Sequence, residues 1–295
     1  MKTYPECIPC FIRQTLDAAR LVSDDQSLHE SALLRACALV SKMDTRQPPP
    51  AMAGEIQALI LELSGVADPY GEAKSRFNRF ILQRLPHLEG MISGSPDPFE
   101  TALRLAIAGN IIDFGIHIGL SESDVEAAIE HSMHAALDRT AVHGLRRAVQ
   151  RAENLLYVGD NAGEVVFDRL FIEQIKALNP DLEIVFVTRG GPILNDITRE
   201  DAIEAGIDSL ARVIDNGDNS AGCVLERCGW DFHRALEGSD LLIAKGQGNF
   251  ETLNETTLEA FFLLKAKCPV IAREAGGRQG DLLVVHRPAV LAADC

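Results

Sequence analysis

Two features of exported and membrane proteins are absent from this sequence. Its beginning, MKTYPECIPC, lacks the apolar stretch of a secretory signal peptide, and no apolar run reaches the length of about 18 residues that a transmembrane helix needs. Seven cysteines, an odd number spread over 295 residues, do not make a disulfide framework. These absences predict a cytoplasmic protein with reduced thiols.

Basic residues are also scarce. The chain has 28 Lys and Arg residues against 43 Asp and Glu residues, which gives a formal net charge of -15. Such a surface repels phosphate backbones and anionic lipids, so we expect neither nucleic acid nor a membrane as a partner. An anionic metabolite fits this chain only where a metal ion or a cluster of cations reverses the local field. No sequence feature indicates an oligomeric state.

The overall composition, with 46% hydrophobic and 24% charged residues, is that of a globular protein. Its pattern predicts an all-helical domain, residues 1–150, and an α/β domain, residues 151–295. In the first domain, CIPCFIRQTLDAARLV has helical periodicity, and DPYGEAKSRFNRFILQRL predicts a helix with Asp68 as N-cap and Pro69 at the first position. The apolar run PFETALRLAIAGNIIDFGIHIGL predicts a buried helix.

In the second domain, short β-rich runs alternate with helical segments. This alternation is typical of a parallel sheet with crossover helices. Six runs suffice for a doubly wound sheet with helices on both faces, so the predicted fold class is α/β. The predicted strands are NLLYVG, EIVFVT, ARVID, DLLIAK, CPVIAR and DLLVVH.

Polar residues follow the predicted strands, where the ligand crevice of an open parallel sheet lies. Asp160 and Asn161 follow the first strand, Asp196 comes soon after the second, and Lys245 and Asn249 follow the fourth. Carboxylate and amide oxygens suit Mg²⁺ or Mn²⁺, and a lysine can neutralise part of a phosphate charge. Each loop alone is also explained by ordinary turn and capping chemistry. Their occurrence on one predicted edge favours a metal-assisted phosphoryl hydrolysis site.

Two helical groups in the first domain add polar residues to this picture. Asn110 and Asp113 lie on one face of an apolar helix, where a buried carboxylate needs a partner. The alternative is a satisfied polar pair in the core. Tyr70, Lys74 and Asn78 recur every four residues, and alone they predict a solvated helix face.

The cysteines give a weaker signal. Cys7 and Cys10 form a single CxxC, whereas a structural zinc site needs a second pair. Cys223 and Cys228 have the wrong spacing for a zinc knuckle. We therefore interpret Cys7 and Cys10 as unreactive thiols that hydrolysis does not require.

Six sequence blocks occur in order along the chain: CIPC, DPYGEAKSRFN, AIAGNIIDFG, VGDNAGEVVFD, TRGGPILNDIT and SDLLIAKGQGNFETL. Together they resemble one known family. It was once called domain of unknown function 89, and it is now described as metal-dependent damage-control phosphatases related to the human acidic-residue methyltransferase-like protein. The CIPC block and the compact length are similar to its stand-alone prokaryotic branch.

The resemblance implies a helical N-terminal part packed on a Rossmann-like, mostly parallel sheet. It also implies a divalent metal ion (Mg²⁺, Mn²⁺, Co²⁺ or Ni²⁺) and a small phosphorylated substrate, such as a sugar phosphate or a damaged phosphometabolite. By position, Asp160, Asn161 and Asp196 are the metal ligands, with Asp160 and Lys245 as catalytic residues. The residues assigned to substrate binding are Asn110, Asp113, Lys74, Asn78, Lys245, Asn249 and Glu164.

One loop departs from the family pattern, and two other functions stay open. The chain has NGDNSAGCVLERC after the third strand, so no role is assigned to Asp215 and Asp218. The first alternative function is an S-adenosylmethionine-dependent carboxyl methyltransferase, although Asp160 and Asn161 occupy the place of the usual glycine-rich turn. The second is a metal-binding protein without catalysis.

Overall fold

The computed structural model describes residues 1–109 and 122–290 of the chain. In these ranges, α-helices alone precede the first strand, apart from a short 3₁₀ turn at Pro5–Cys7. Local signals explain several boundaries: the Asp25 side chain caps α2, and Gly65 ends α3 in the left-handed conformation. These helices are α1 Ile8–Val22, α2 Gln26–Val40, α3 Pro49–Ser64, α4 Gly71–Leu82, α5 Leu85–Ser93, α6 Pro98–Gly109, α7 Glu122–His134 and α8 Arg139–Arg151.

Helix α4 starts later than the sequence predicted. Its N-cap is Tyr70, so the assignment of Asp68 as N-cap and Pro69 as the first helical residue is wrong. Asp68 instead accepts a hydrogen bond from the backbone N–H of Tyr70 at 3.0 Å and closes the preceding turn. This is the other common use of an Asp beside a turn, and the sequence pattern alone does not separate the two.

The second part of the chain forms one six-stranded sheet in the order β3-β2-β1-β4-β5-β6. Strands β1 to β5 are parallel, and β6 pairs antiparallel with β5. The predicted α/β fold with a mostly parallel sheet is confirmed. The elements are β1 Asn154–Val158, α9 Glu164–Leu178, β2 Glu183–Thr188, α10 Arg199–Glu204, β3 Arg212–Asp215, α11 Trp230–Glu237, β4 Leu241–Lys245, α12 Gly246–Leu253, β5 Glu259–Lys265, α13 Pro269–Ala275 and β6 Leu282–Arg287.

One predicted strand is wrong. The run CPVIAR lies in helix α13, because Pro269 suits a first helical turn and the Cys268 side chain caps it. The fifth strand is Glu259–Lys265, whose five central residues are all buried. Short apolar runs do not distinguish a strand from a buried helix, and Pro269 was the signal that favoured the helix.

Both faces of the sheet are covered by hydrophobic cores. Side chains alternate between them, because successive residues of a strand point to opposite faces. Leu155 and Tyr157 belong to the core beneath α6, α8 and α9, whereas Leu156 and Val158 belong to the core beneath α11 to α13. The strand order reverses between β1 and β4, which places a ligand crevice at the carboxyl ends of these two strands.

The helical part and the sheet share their larger core. Phe77 of α4, Leu105 of α6 and Leu145 of α8 belong to the same buried cluster as Tyr157 of β1. The packing of the helical part on the sheet is therefore confirmed. The division into domains of residues 1–150 and 151–295 stays a prediction.

No helix in the described ranges combines the length and the apolar character that crossing a bilayer requires.

Gly163 tests the contact between α4 and the start of α9. It has a φ of 73°, and a Cβ added there would lie 1.7 Å from Cδ1 of Phe77. We expect Gly163→Ala to lower the free energy of unfolding by about 2–4 kcal/mol, because it combines backbone strain with overpacking. Denaturant unfolding measures this loss.

The matched control is Gly90→Ala in α5, where an added Cβ meets no atom within 4 Å. This change should be neutral or stabilise the protein by up to about 1 kcal/mol, since alanine favours a helix. A Gly163→Ala variant as stable as the Gly90→Ala variant would show that the close approach of Phe77 is not required.

Candidate active site

The three predicted metal ligands lie together at the carboxyl edge of the sheet. Asp160 and Asn161 follow β1, and Asp196 lies in the segment between β2 and α10. Asn161 and Asp196 form an isolated antiparallel bridge, and the backbone N–H of Ile197 donates to the carbonyl of Asp160 at 2.9 Å. Their exposed fractions are 7%, 8% and 4%, so all three side chains are nearly buried.

Hydrogen bonds orient the Asn161 side chain. Its Nδ2 donates to Oδ2 of Asp160 at 2.7 Å and to Oε2 of Glu164 at 3.0 Å. These two bonds use both amide hydrogens and leave the amide oxygen on the opposite side. Glu164 thus has a positioning role that sequence reasoning did not identify; its assignment to substrate binding stays a prediction.

Gly246 allows the Asp160 carboxylate to approach the start of α12. The residue has a φ of 76°, and a Cβ added there would lie 1.8 Å from Oδ2 of Asp160. Only glycine fits this position without displacing the carboxylate. The residue directly after β4 therefore has to be glycine to leave room for the Asp160 carboxylate, which follows β1.

The site carries negative charge that its protein neighbours only partly compensate. Burial raises the pKa of Asp160 well above its usual value, and the charges of Glu164 and Asp196 raise it further, while Arg189 and Lys267 oppose the shift. Burial also raises the pKa of Asp196, against the effect of Arg189. A divalent cation between these carboxylates would relieve this electrostatic cost.

The donor set fits a hard divalent ion. Asp160, Asn161 and Asp196 offer oxygens only, as Mg²⁺ and Mn²⁺ prefer. Among residues 1–109 and 122–290 there is no group of three or more His, Cys, Asp or Glu side chains that could hold a metal ion. The two observations agree, because the third donor here is an amide oxygen. A small protein donor set leaves coordination positions for water and a phosphate oxygen.

Arg189 is a site residue that the sequence did not single out. The residue is 1% exposed, and its guanidinium lies beside both carboxylates. Nε donates to Oδ2 of Asp196 at 2.7 Å, and Nη2 lies 3.6 Å from Oδ1 of Asp160. In the sequence it belongs to the glycine-rich turn TRGGP, and a turn of this composition gives no indication that the arginine side chain is buried.

Lys245 is fully buried in an ion-pair network. Its ammonium group donates to the carbonyl of Ala106 at 2.9 Å, to Oε1 of Glu164 at 2.7 Å and to Oδ1 of Asp168 at 2.5 Å. Tyr157 also donates to Oδ1 of Asp168, at 2.8 Å. Burial, opposed by the charge of Lys245, raises the pKa of Asp168 to about 6. The structure thus shows a salt bridge, and a phosphate contact for Lys245 stays a prediction.

Asn249 joins the ends of two neighbouring strands. Its Nδ2 donates to the carbonyl of Gly159 at 2.9 Å and to the carbonyl of Lys245 at 2.7 Å. The side chain is fully buried. Its contacts are those of a residue that fixes β1 against β4, and its predicted contact with substrate is untested.

Lys74 and Asn78 are not part of a solvated helix face. Their exposed fractions are 4% and 0%. Lys74 Nζ lies 3.0 Å from Asp68 and 3.5 Å from Asp201, and Asn78 accepts a hydrogen bond from the backbone N–H of Gly163 at 2.6 Å. The solvated-face interpretation is wrong because α4 packs against α9 and α10, which periodicity does not reveal. Substrate binding by both residues stays a prediction.

Two predicted site residues, Asn110 and Asp113, lie outside the ranges that the structure describes.

The structure does describe the loop after β3, in which the sequence assigned no role to Asp215 and Asp218. Asp215 is exposed and closes its own turn by accepting from the backbone N–H of Gly217 at 3.0 Å. The next residue, Asn216, is buried, and its Oδ1 accepts from the backbone N–H of Gly190 at 2.9 Å.

Lys267 is a second residue that sequence reasoning missed. It is exposed, it follows β5, and its charge lowers the pKa values of both Asp160 and Asp196 against the effect of burial. It was missed because CPVIAR was assigned as the strand, which placed Lys267 before a strand instead of after one. The apolar run EAFFLLK was the signal that would have corrected this.

Comparisons with known proteins identify the family to which the chain belongs. A family model described as the damage-control phosphatase ARMT1-like domain matches residues 3–283. A damage-control phosphatase of Pyrococcus horikoshii is 36% identical over 294 residues, which cover 97% of this chain and 98% of that protein. A damage-control phosphatase of Archaeoglobus fulgidus is 34% identical over 292 residues, 96% of this chain and 98% of that protein.

A solved structure extends the similarity to three dimensions. The crystal structure of a protein of the domain of unknown function 89 family from Pyrococcus horikoshii matches with a TM-score of 0.87 and 34% identity, over 97% of this chain and 99% of that chain. The resemblance drawn from the sequence motifs and the prediction of a phosphatase are both confirmed. The chain therefore belongs to the damage-control phosphatase ARMT1-like family.

Proposed function

We propose that this chain is a divalent-metal-dependent phosphomonoester hydrolase of small phosphorylated metabolites, such as sugar phosphates or damaged phosphometabolites. Asp160, Asn161 and Asp196 would hold the ion, which we expect to be Mg²⁺, Mn²⁺, Co²⁺ or Ni²⁺. The observation that carries the proposal is the gathering of these three oxygen donors, nearly buried, at the carboxyl ends of the strands. The named damage-control phosphatases among its relatives support the reaction class.

The protein residues around the ion have separable tasks. When bound, the ion would supply positive charge that stabilises the charge developing on the phosphoryl oxygens. Glu164 holds the Asn161 amide, and Arg189 holds one oxygen of Asp196, so the donor oxygens are oriented before a ligand arrives. The proposed metal centre is therefore preorganised by hydrogen bonds from buried side chains.

Lys267 is proposed to bind the phosphate of the substrate. An ion neutralises only part of a dianionic phosphate, and a chain of net charge -15 needs a local cation to hold the rest. Lys267 is exposed at the strand edge, where its charge acts on Asp160 and Asp196. A lysine here meets the phosphate as a point charge.

Neither alternative function has a structural observation in its favour. A methyltransferase would need a cofactor turn after β1, where Asp160 instead packs against Gly246. A non-catalytic metal protein centred on Cys7 and Cys10 would need further thiol ligands, and no such cluster occurs in the described part of the chain. Release of inorganic phosphate from a panel of phosphorylated metabolites with each of the four metals, with and without chelator, tests the proposal.

Asp160→Ala should abolish Mn²⁺ binding and phosphate release while the fold survives. The variant removes a nearly buried carboxylate of the proposed metal centre. Calorimetric titration with Mn²⁺ and a phosphate-release assay measure the two losses. The exposed Asp181→Ala is the matched control and should behave as wild type. A folded Asp160→Ala variant that keeps more than about a tenth of the activity, a loss of less than about 1.4 kcal/mol, contradicts the assignment.

Lys267→Ala should lower kcat/KM by roughly ten- to a thousandfold, as expected for the loss of one preorganised electrostatic contact. Mn²⁺ binding should be retained or slightly strengthened, because a positive charge near the carboxylates is removed. The Lys267→Arg variant keeps the charge and should retain most of the activity. If Lys267→Ala hydrolyses its substrate as wild type does, the phosphate lies elsewhere.

Lys245→Ala should lower the free energy of unfolding by about 3–5 kcal/mol, because it leaves Glu164 and Asp168 as buried charges without their cation. Thermal and denaturant unfolding measure this loss. The control is Lys42→Ala at an exposed lysine, with an expected change within about 0.5 kcal/mol. A variant of normal stability and metal affinity but reduced kcat/KM would assign Lys245 to the phosphate instead.

A further inference from the structure

The loop between β3 and α11 received no role from the sequence, yet its Cys223 side chain is completely buried behind the strand ends. The sulfur accepts from Nη1 of Arg189 at 3.8 Å and from Nδ2 of Asn216 at 3.6 Å, and it donates to Oδ1 of Asn249 at 3.7 Å. These partners follow three different strands. Cys223 therefore lies where the loops after β2 and β3 meet the first turn of α12.

The contact with Arg189 connects Cys223 to the proposed metal centre. A guanidinium is planar and rigid, so contacts on two of its edges fix the third. Nε of Arg189 is held by Asp196 at 2.7 Å, and Nη1 is held by the sulfur of Cys223. Nη2 is thereby directed toward Oδ1 of Asp160, 3.6 Å away, and it is buried without a hydrogen bond in the described part of the chain.

Other contacts of the same loop fix the positions of Cys223 and Arg189. Asn216 donates to the sulfur and accepts from the backbone N–H of Gly190, the residue directly after Arg189. The backbone N–H of Cys223 donates to Oγ1 of Thr252 in α12 at 3.0 Å. The thiol is thus held from both sides, and displacement of the sulfur would free one edge of a buried guanidinium.

We propose that Cys223 is a positioning residue of the metal centre: its sulfur fixes Arg189, and Arg189 sets the positions of Asp196 and Asp160. The inference rests on the proposed function, because it concerns the same two carboxylates. Partners that orient metal ligands from behind typically contribute about 10- to 100-fold to metal affinity. Cys223 thus contributes to metal binding without being a metal ligand.

Calorimetric titration with Mn²⁺ alone tests this role. Cys223→Ala should weaken Mn²⁺ binding by about 10- to 100-fold. Cys223→Ser should lose less, because its hydroxyl can still accept from the guanidinium. The control is Cys37→Ala, at an exposed thiol of α2, with an expected change within about threefold.

Kinetics at saturating Mn²⁺ separate positioning from general loosening of the fold. The Cys223→Ala variant should recover kcat to within about threefold when Mn²⁺ is saturating, since the ligands themselves are intact. If Cys223→Ala does not fold, the Cys223→Val variant decides, because it fills the space of the thiol without a hydrogen-bonding atom: binding as tight as wild type overturns the proposal. Unchanged Mn²⁺ affinity of a folded Cys223→Ala variant, or an equal loss in Cys37→Ala, overturns it as well.

The same titrations distinguish this inference from the proposed function. Wild-type protein that binds no Mn²⁺, or an Asp160→Ala variant that binds it normally, would refute the metal centre itself. Wild-type binding that is lost in Asp160→Ala but unchanged in Cys223→Ala would refute only the role of Cys223.

Discussion

Neutralisation of buried negative charge at the carboxyl edge of the sheet is the constraint on which the structure depends. Four carboxylates follow β1 and β2 or line the first turns of α9, and each is nearly or completely buried. Arg189 pairs with Asp160 and Asp196, and Lys245 pairs with Glu164 and Asp168. The two buried cations paired with these four carboxylates leave a deficit of positive charge that a divalent metal ion would fill, so stability and the proposed chemistry depend on one charge balance.

The helical part of the chain contributes directly to this edge. Ala106 of α6 provides a carbonyl for the buried Lys245 ammonium, and Asn78 of α4 accepts from the backbone N–H of Gly163. Phe77 packs so closely on Gly163 that no side chain fits there. The loop between β1 and α9 is therefore held between α4 on one side and the sheet on the other. These contacts explain why Asp160 and Asn161 have one fixed orientation.

Much of this arrangement follows from the sequence, because alternating β-rich and helical segments place Asp160, Asn161 and Asp196 at one edge of a parallel sheet. Burial was not predictable, since Lys74 has the spacing of a surface residue and is covered only when α4 meets α10. Lys267 was missed because a short apolar run beside a proline has the composition of either a strand or a helix. The link from Cys223 to Arg189 joins residues 34 positions apart, and it arises from tertiary packing alone.

Anomalous diffraction from a crystal soaked in Mn²⁺ tests the central claim most directly, because it locates the ion without reference to activity. The account predicts one strong anomalous peak bound by oxygens of Asp160, Asn161 and Asp196, with Arg189 still beside the two carboxylates. A peak at the thiols of Cys7 and Cys10, or no peak at the strand ends in a fully soaked crystal, would contradict it.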